Sequence, residues 1–176
     1  MESTMATPSE ATVSKVDARA GKYLTFHLDN EEFGIQVASV REIIGIQEIT
    51  SLPQMPDFVQ GVINLRGKVV PVIDLRLKFG LVAAEFNQRT CIIVVEVRKG
   101  SATILIGAIV DAVSEVMTLP ASEIEDTPDF GSGVRMPCLL GMAKTKGKVR
   151  ILLDIGEVLI GGDVGGLSEA LNHGTL

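Results

Sequence analysis

Two segments of this chain carry the same ordered series of residues. Gly34, Ile35, Val37, Val40, Glu42 and Ile43 return as Gly107, Ala108, Val110, Val113, Glu115 and Val116 at the same spacings. Each copy then reaches a Leu-Pro pair, Leu52-Pro53 or Leu119-Pro120, followed by Pro-Asp-Phe at Pro56–Phe58 or Pro128–Phe130. The closest agreement comes last. Gly61, Gly67-Lys68-Val69 and Asp74-Leu75 match Gly141, Gly147-Lys148-Val149 and Asp154-Ile155, with both internal spacings kept. A repeat constrains architecture before any local reading does, because each copy must form the same kind of unit. The copies span about residues 23–80 and 90–159, and the second carries an insertion after Phe130, around Gly131-Ser132-Gly133.

Local patterns predict a β-rich unit. Tyr23–Leu28 alternates, Asp29-Asn30 is a turn signal, and Glu32–Ile35 continues as a second strand of a hairpin. Val37, Val40, Ile43 and Ile44 fit a helical period and predict a short amphipathic helix. Val62–Leu65 and Val69–Ile73 flank Arg66-Gly67 as another hairpin. Pro71 lacks a ladder N–H, which predicts an edge strand or a bulge there. The second copy repeats the scheme: strands Cys91–Val97 and Thr103–Ile109 about Lys99-Gly100, a helix over Val110–Met117, and a hairpin from Leu140–Ala143 and Val149–Leu153. Short strands with glycine at the bends suit small barrels. Two such barrels side by side leave a groove of the sort that takes a helix.

Composition narrows the function classes. The formal net charge is −6 and no Lys/Arg cluster stands out, which argues against nucleic acid. No apolar run approaches the roughly 20 residues of a membrane helix, so direct membrane insertion is not expected. Cys91 and Cys138 sit in apolar sequence without metal-ligand spacing and read as small core residues in a reducing compartment. Residues 1–21 and 161–176 read as flexible tails around a domain over 22–160, with Ser168–Leu171 able to form a helical turn.

No catalytic, cofactor or metal constellation emerges. The two histidines, His27 and His173, have no nucleophile or ligand partner in any known local motif. The acidic run Glu123, Glu125, Asp126 and Asp129 lacks a calcium-loop pattern and reads as a solvated loop. Glu42 and Glu115, like Asp74 and Asp154, are equivalent through the repeat, and turn caps or exposed faces explain them. Arg66 stands at a tight turn, either as an ordinary turn residue or as an interface anchor; its counterpart is Lys146.

Glu32-Phe33-Gly34-Ile35, Val40-Arg41-Glu42-Ile43, the run Phe58–Arg76 with its Asn64-Leu65-Arg66-Gly67 turn, and Gly107–Val116 together resemble the bacterial chemotaxis coupling family, CheW. The resemblance covers roughly Tyr23 to Leu159. It implies a mainly β fold of two pseudo-symmetric, intertwined five-stranded SH3-like β-barrels with short helices. It implies a scaffold without catalysis or cofactors that links chemoreceptors to the histidine kinase CheA. In the family the helical receptor tip docks between the barrels, and the kinase's regulatory domain, itself CheW-like, pairs barrel to barrel with couplers in rings. Carried over by position, the receptor-facing residues are Val40, Glu42, Gly61, Asn64, Arg66, Gly67, Gly107 and Val116. Phe130, Asp129 and Glu125 fall in the segment that meets a neighbouring ring component. The implied location is cytoplasmic, at membrane-associated receptor arrays. Two alternatives stand beside this: a coupler for surface motility or gene regulation, and a small-barrel enzyme using the groove.

Overall fold

A computed structural model describes residues 18–127 and 138–160. Most of the two expected tails, the helical turn at Ser168–Leu171, Phe130, Asp129 and the Gly131–Gly133 loop lie outside the described residues. The strands are β1 (Gly21–Leu28), β2 (Glu31–Gln36), β3 (Val40–Gly45), β4 (Val59–Leu65), β5 (Lys68–Asp74), β6 (Cys91–Lys99), β7 (Ala102–Val110), β8 (Ala112–Leu119), β9 (Ile124–Glu125), β10 (Leu139–Thr145) and β11 (Lys148–Leu153). Two short helices, α1 (Leu75–Lys78) and α2 (Ile155–Ile160), follow β5 and β11.

The strands form two sheets, with orders β8-β1-β2-β11-β10-β9 and β3-β6-β7-β5-β4. Each sheet mixes the copies. The β1–β2 hairpin of the first copy lies among strands of the second, and the β6–β7 hairpin of the second lies among strands of the first. The sequence repeat alone suggested one barrel per copy; instead the copies have exchanged hairpins, as the family resemblance implied. The exchange is sealed by two parallel seams. Phe33, Gly34 and Ile35 pair with Ile151, Leu152 and Leu153. Val72, Ile73 and Asp74 pair with Gly107, Ala108 and Ile109.

Each sheet closes on itself through one continuous segment. Beyond β8 the chain turns through Ala121–Glu123 and pairs as β9 with β10, the far side of the same sheet. Beyond β3, Thr50 bridges Val62 of β4, with N–H to O distances of 2.8 and 2.9 Å. Gly61 and Gly141 permit these closures. Both have positive φ, +142° and +155°. A Cβ at Gly61 would collide with the Thr50 carbonyl, and one at Gly141 would lie 2.6 Å from the Glu125 carbonyl.

Alternation explains how a hairpin can be buried on both faces. Leu24, Phe26 and Leu28 of β1 and Ile93, Val95 and Val97 of β6 point into one central core with Leu75, Ile155, Val158 and Leu159 of the helices and Phe79 just past α1. The opposite faces line the two sheet interiors: Ile92 and Val94 join Ile63, Leu65, Val70 and Val72, while Tyr23 joins Ala143 and Leu152. Strands covered on both sides read as unbroken apolar runs rather than alternating ones, which is the look of Cys91–Val95.

Both expected helices are strands instead. Val40–Gly45 pairs with β6 and Ala112–Leu119 with β1; only Val37–Ser39 coils, as one 3₁₀ turn. A short window rich in Val and Ile fits both periods, and β-branched side chains favour the pleated surface once a partner strand is present. Pro71 is not at an edge either, because β5 lies between β4 and β7. Pairing with β7 starts only at Val72, so the missing N–H falls just ahead of that ladder. The bulge lies on the partner strand, between Val59 and Gly61 of β4, opposite Val72 and Ile73 rather than Pro71.

The equivalent aspartates cap the helices. Asp74 Oδ1 accepts the Arg76 N–H at 2.9 Å, and Asp154 Oδ1 accepts the Glu157 N–H at 3.3 Å. Burial pushes the Asp74 carboxyl above its usual value, against the pull of the Arg76 and Leu77 backbone donors. Gly61→Ala is expected to cost about 2 kcal/mol or more in urea denaturation, because strain and collision act together. Gly67→Ala has open space and is expected to cost about 1 kcal/mol from φ alone. Equal losses would remove the collision with Thr50 from the explanation.

Candidate functional site

The β4–β5 hairpin turns through two residues. Leu65 pairs with Lys68, leaving Arg66 at φ +51° and Gly67 at φ +88°. Positive φ at both positions is the geometry of a tight hairpin turn whose twist matches the strands, and Asn or Gly usually fills its first place. Arginine there costs of the order of 1 kcal/mol in backbone strain. Asn64 Oδ1 supports the turn by accepting the Gly67 N–H at 2.8 Å. The same departure recurs at Lys146, φ +53°, before Gly147. Both copies therefore hold a cation in a backbone conformation that disfavours it.

Arg66 grips Glu42 with both guanidinium arms. Nη1 lies 3.3 Å from Oε1, and Nη2 meets Oε2 more closely. This hydrogen-bonded pair holds the Glu42 carboxyl below its usual 4.5 and raises Arg66. It also joins β3 to the turn at the far side of the same sheet. Arg66 remains 72% exposed, so it is available to a partner. Exposed Ile43 and Val69, the latter 71% exposed, supply apolar surface on β3 and β5. Arginine beside exposed apolar side chains is the composition of interface anchors.

The structure brings Glu42, Asn64, Arg66 and Gly67 into one cluster. Val40 stands on the same strand, half-buried against the central core. Val116 is exposed on β8 of the other sheet, where it is the repeat counterpart of Ile43. Gly61 and Gly107 are buried, and each has a packing reason: Gly61 admits Thr50, while a Cβ at Gly107 would lie 2.8 Å from Ile92 Cγ2. Glu125 is exposed on β9 and pairs with Lys144 at 3.3 Å. Its neighbour Asp126 accepts from Arg19 at 2.9 Å, so this part of the acidic run is a solvent-exposed edge carrying surface ion pairs.

Several interactions had no signal in the sequence. Arg76 reaches Asp111 and Asp29, joining the end of β5 to the second copy. Lys78 Nζ lies 3.7 Å from the Phe58 ring centroid, and burial lowers its pKa. Arg150 is buried beside Glu32. A cleft of about 340 Å³ lies by His27, Asp29, Glu85, Arg89 and Asp111. Cys91 is half-buried and Cys138 buried. Among the described residues, no three metal-ligating side chains cluster, and no helix is long and apolar enough to cross a membrane.

The family profile described as the CheW-like domain matches residues 22–161. The chain belongs to the CheW family. It is 37% identical over 151 residues to the chemotaxis protein CheW of Klebsiella aerogenes, covering 85% of this chain and 89% of that one. It is 35% identical over 135 residues to the CheW of Rhizobium meliloti, covering 77% and 84%. The crystal structure of the scaffolding protein TtCheW from Thermoanaerobacter tengcongensis superposes with a TM-score of 0.70 at 33% identity, covering 81% of this chain and 95% of that one. The chain is thus a chemotaxis coupling scaffold and not an enzyme.

The Glu42 shift has a testable sign. Its folded-state pKa lies below the unfolded value, so the Arg66 pairing contributes above pH 4.5 and is lost as acid protonates the carboxylate. An NMR titration of the Glu42 side chain is expected to give a midpoint below 4.5 that returns toward 4.5 in Arg66→Ala. An unchanged midpoint in the variant would mean that the pair does not persist in solution.

Proposed function

We propose that this CheW-family scaffold couples the cytoplasmic tip of methyl-accepting chemoreceptors to the regulatory domain of CheA. The observation that carries the reading is the strained, exposed Arg66 on the Asn64–Gly67 turn, pre-oriented by Glu42 and flanked by Ile43 and Val69. Lys146 shares the backbone strain, so what singles out Arg66 is its pairing with Glu42 beside the exposed Ile43 and Val69. A partner carboxylate can take over one arm of the guanidinium, which offers five donors. Val40 and Val116 would extend the receptor-facing surface, and Gly61, Gly67 and Gly107 would shape it through backbone approach.

The second part of the proposal concerns ring assembly. Glu125 leads from β9 into the segment holding Asp129 and Phe130, the place where family resemblance puts contact with a neighbouring CheW-like domain. The protein would act in the cytoplasm and be recruited to receptor arrays at the membrane. Arg66→Ala is expected to lose receptor pull-down and receptor-dependent change in CheA activity while its circular dichroism matches the parent. A variant that unfolds would make Arg66 a structural turn residue, and one that couples normally would remove it from the receptor surface.

A further inference from the structure

The two sheet interiors are repeats of one another, yet one is apolar and the other charged. Two residues before the parallel seam of β5 and β7 stand Val70 and Leu105, both packed in an apolar cluster. At the equivalent places before the seam of β11 and β2 stand Arg150 and Glu32. Arg150 is 4% exposed and Glu32 9%. The polarity spreads to their neighbours. Thr145, counterpart of Leu65, meets Arg150 Nη1 through its hydroxyl and its carbonyl. Thr25, counterpart of Val94, donates to the Glu115 carbonyl at 2.9 Å and accepts its N–H at 3.1 Å.

The pair is a poor stabiliser. Arg150 Nε lies 3.2 Å from Glu32 Oε2, but among the described residues it has no hydrogen-bond partner. Nη2 is 3.9 Å from Glu115 Oε2. A buried ion pair repays desolvation only when its geometry is good and every donor is satisfied, and apolar replacement is often neutral or stabilising. The sister interior shows within the same molecule that Leu and Val suffice at these positions. Removing one partner is a different matter, because it strands a buried charge.

We infer that the buried Glu32–Arg150 pair selects which hairpin enters which sheet, and so enforces the exchange between copies. Because the two hairpins share one geometry and one seam register, β1–β2 could seat on β5 of its own copy and β6–β7 on β11. Glu32 would then lie beside Val70 without a cation, and Arg150 beside Leu105 with only the half-exposed Glu115 of its own copy, 3.9 Å away in the native structure, to face it. The native arrangement alone joins the two charges. The device works by penalising the wrong pairing rather than strengthening the right one, and it acts equally against a hairpin of the wrong copy from a neighbouring molecule.

The test uses the full chain with Glu32→Leu, with Arg150→Met and with both. Each single variant is expected to melt about 10 °C lower, from a stranded charge. The double variant should regain the parental melting temperature. After refolding from urea, its ¹⁵N-amide spectrum should show a second set of resonances, or swapped dimers by size exclusion, that the parent lacks. A double variant that refolds to one monomeric set of resonances would overturn the inference, since selection would reside elsewhere. A double variant no more stable than the singles would also overturn it, by making the pair a stabilising element.

Discussion

Strand pairing between the copies holds the molecule together: the antiparallel pairs β1–β8 and β3–β6, and two parallel seams of three residue pairs each, β2 against β11 and β7 against β5. Each seam has a glycine at its centre or its start, Gly34 facing Leu152 and Gly107 facing Val72. A side chain there would press on Leu152 Cδ2 at 3.0 Å or Ile92 Cγ2 at 2.8 Å. Because the seams join residues of different copies, neither sheet exists without both. The central core follows from this. Leu24, Phe26, Ile93 and Val95 meet there only because both hairpins have crossed over, and Phe33 carries the packing on to Phe79 at 5.7 Å between ring centroids. Burying residues of this size is worth about 1.5–3 kcal/mol each, so the exchange is where the stability lies. Contacts between residues more than a hundred positions apart also make it a slow, high-contact-order assembly.

A symmetric frame carries asymmetric surfaces. The two cationic turns share their strained geometry, but their surroundings differ. Arg66 is paired across to Glu42 on β3. The equivalent Glu115 faces the buried Arg150 instead, and Lys146 stays exposed at its turn. The first copy thus offers a pre-oriented guanidinium beside Ile43 and Val69, while the second offers exposed Val116 and Val149 near lysines. Differences of this kind let one duplicated fold serve partners of different chemistry without any catalytic group.

The sequence repeat made the four hairpins and the Asn64–Gly67 turn legible, because turn residues and alternation act locally. The segments around Val40 and Val113 were misread as helices, since six residues rich in Val and Ile fit either period until β6 and β1 are placed beside them. The hairpin exchange was invisible to spacing: an exchanged and an unexchanged hairpin have the same sequence, and only the family resemblance suggested intertwining. Glu32 falls in a predicted strand, and nothing local says that Arg150 covers it. For Asp74 and Asp154 the equivalence left turn caps or exposed faces open, and the structure makes both helix caps. Glu42 and Arg66 were both named, but their contact depends on closure of the sheet.

If the seams between copies are what the fold depends on, cutting the chain in the exposed linker between α1 and β6 separates the question cleanly. Residues 1–84 and 85–176 would be expressed as two polypeptides and observed by amide hydrogen exchange, alone and mixed. The account predicts two unprotected fragments that acquire native-like protection only on mixing, in equal stoichiometry. Protected, independently folded halves that ignore one another would contradict it.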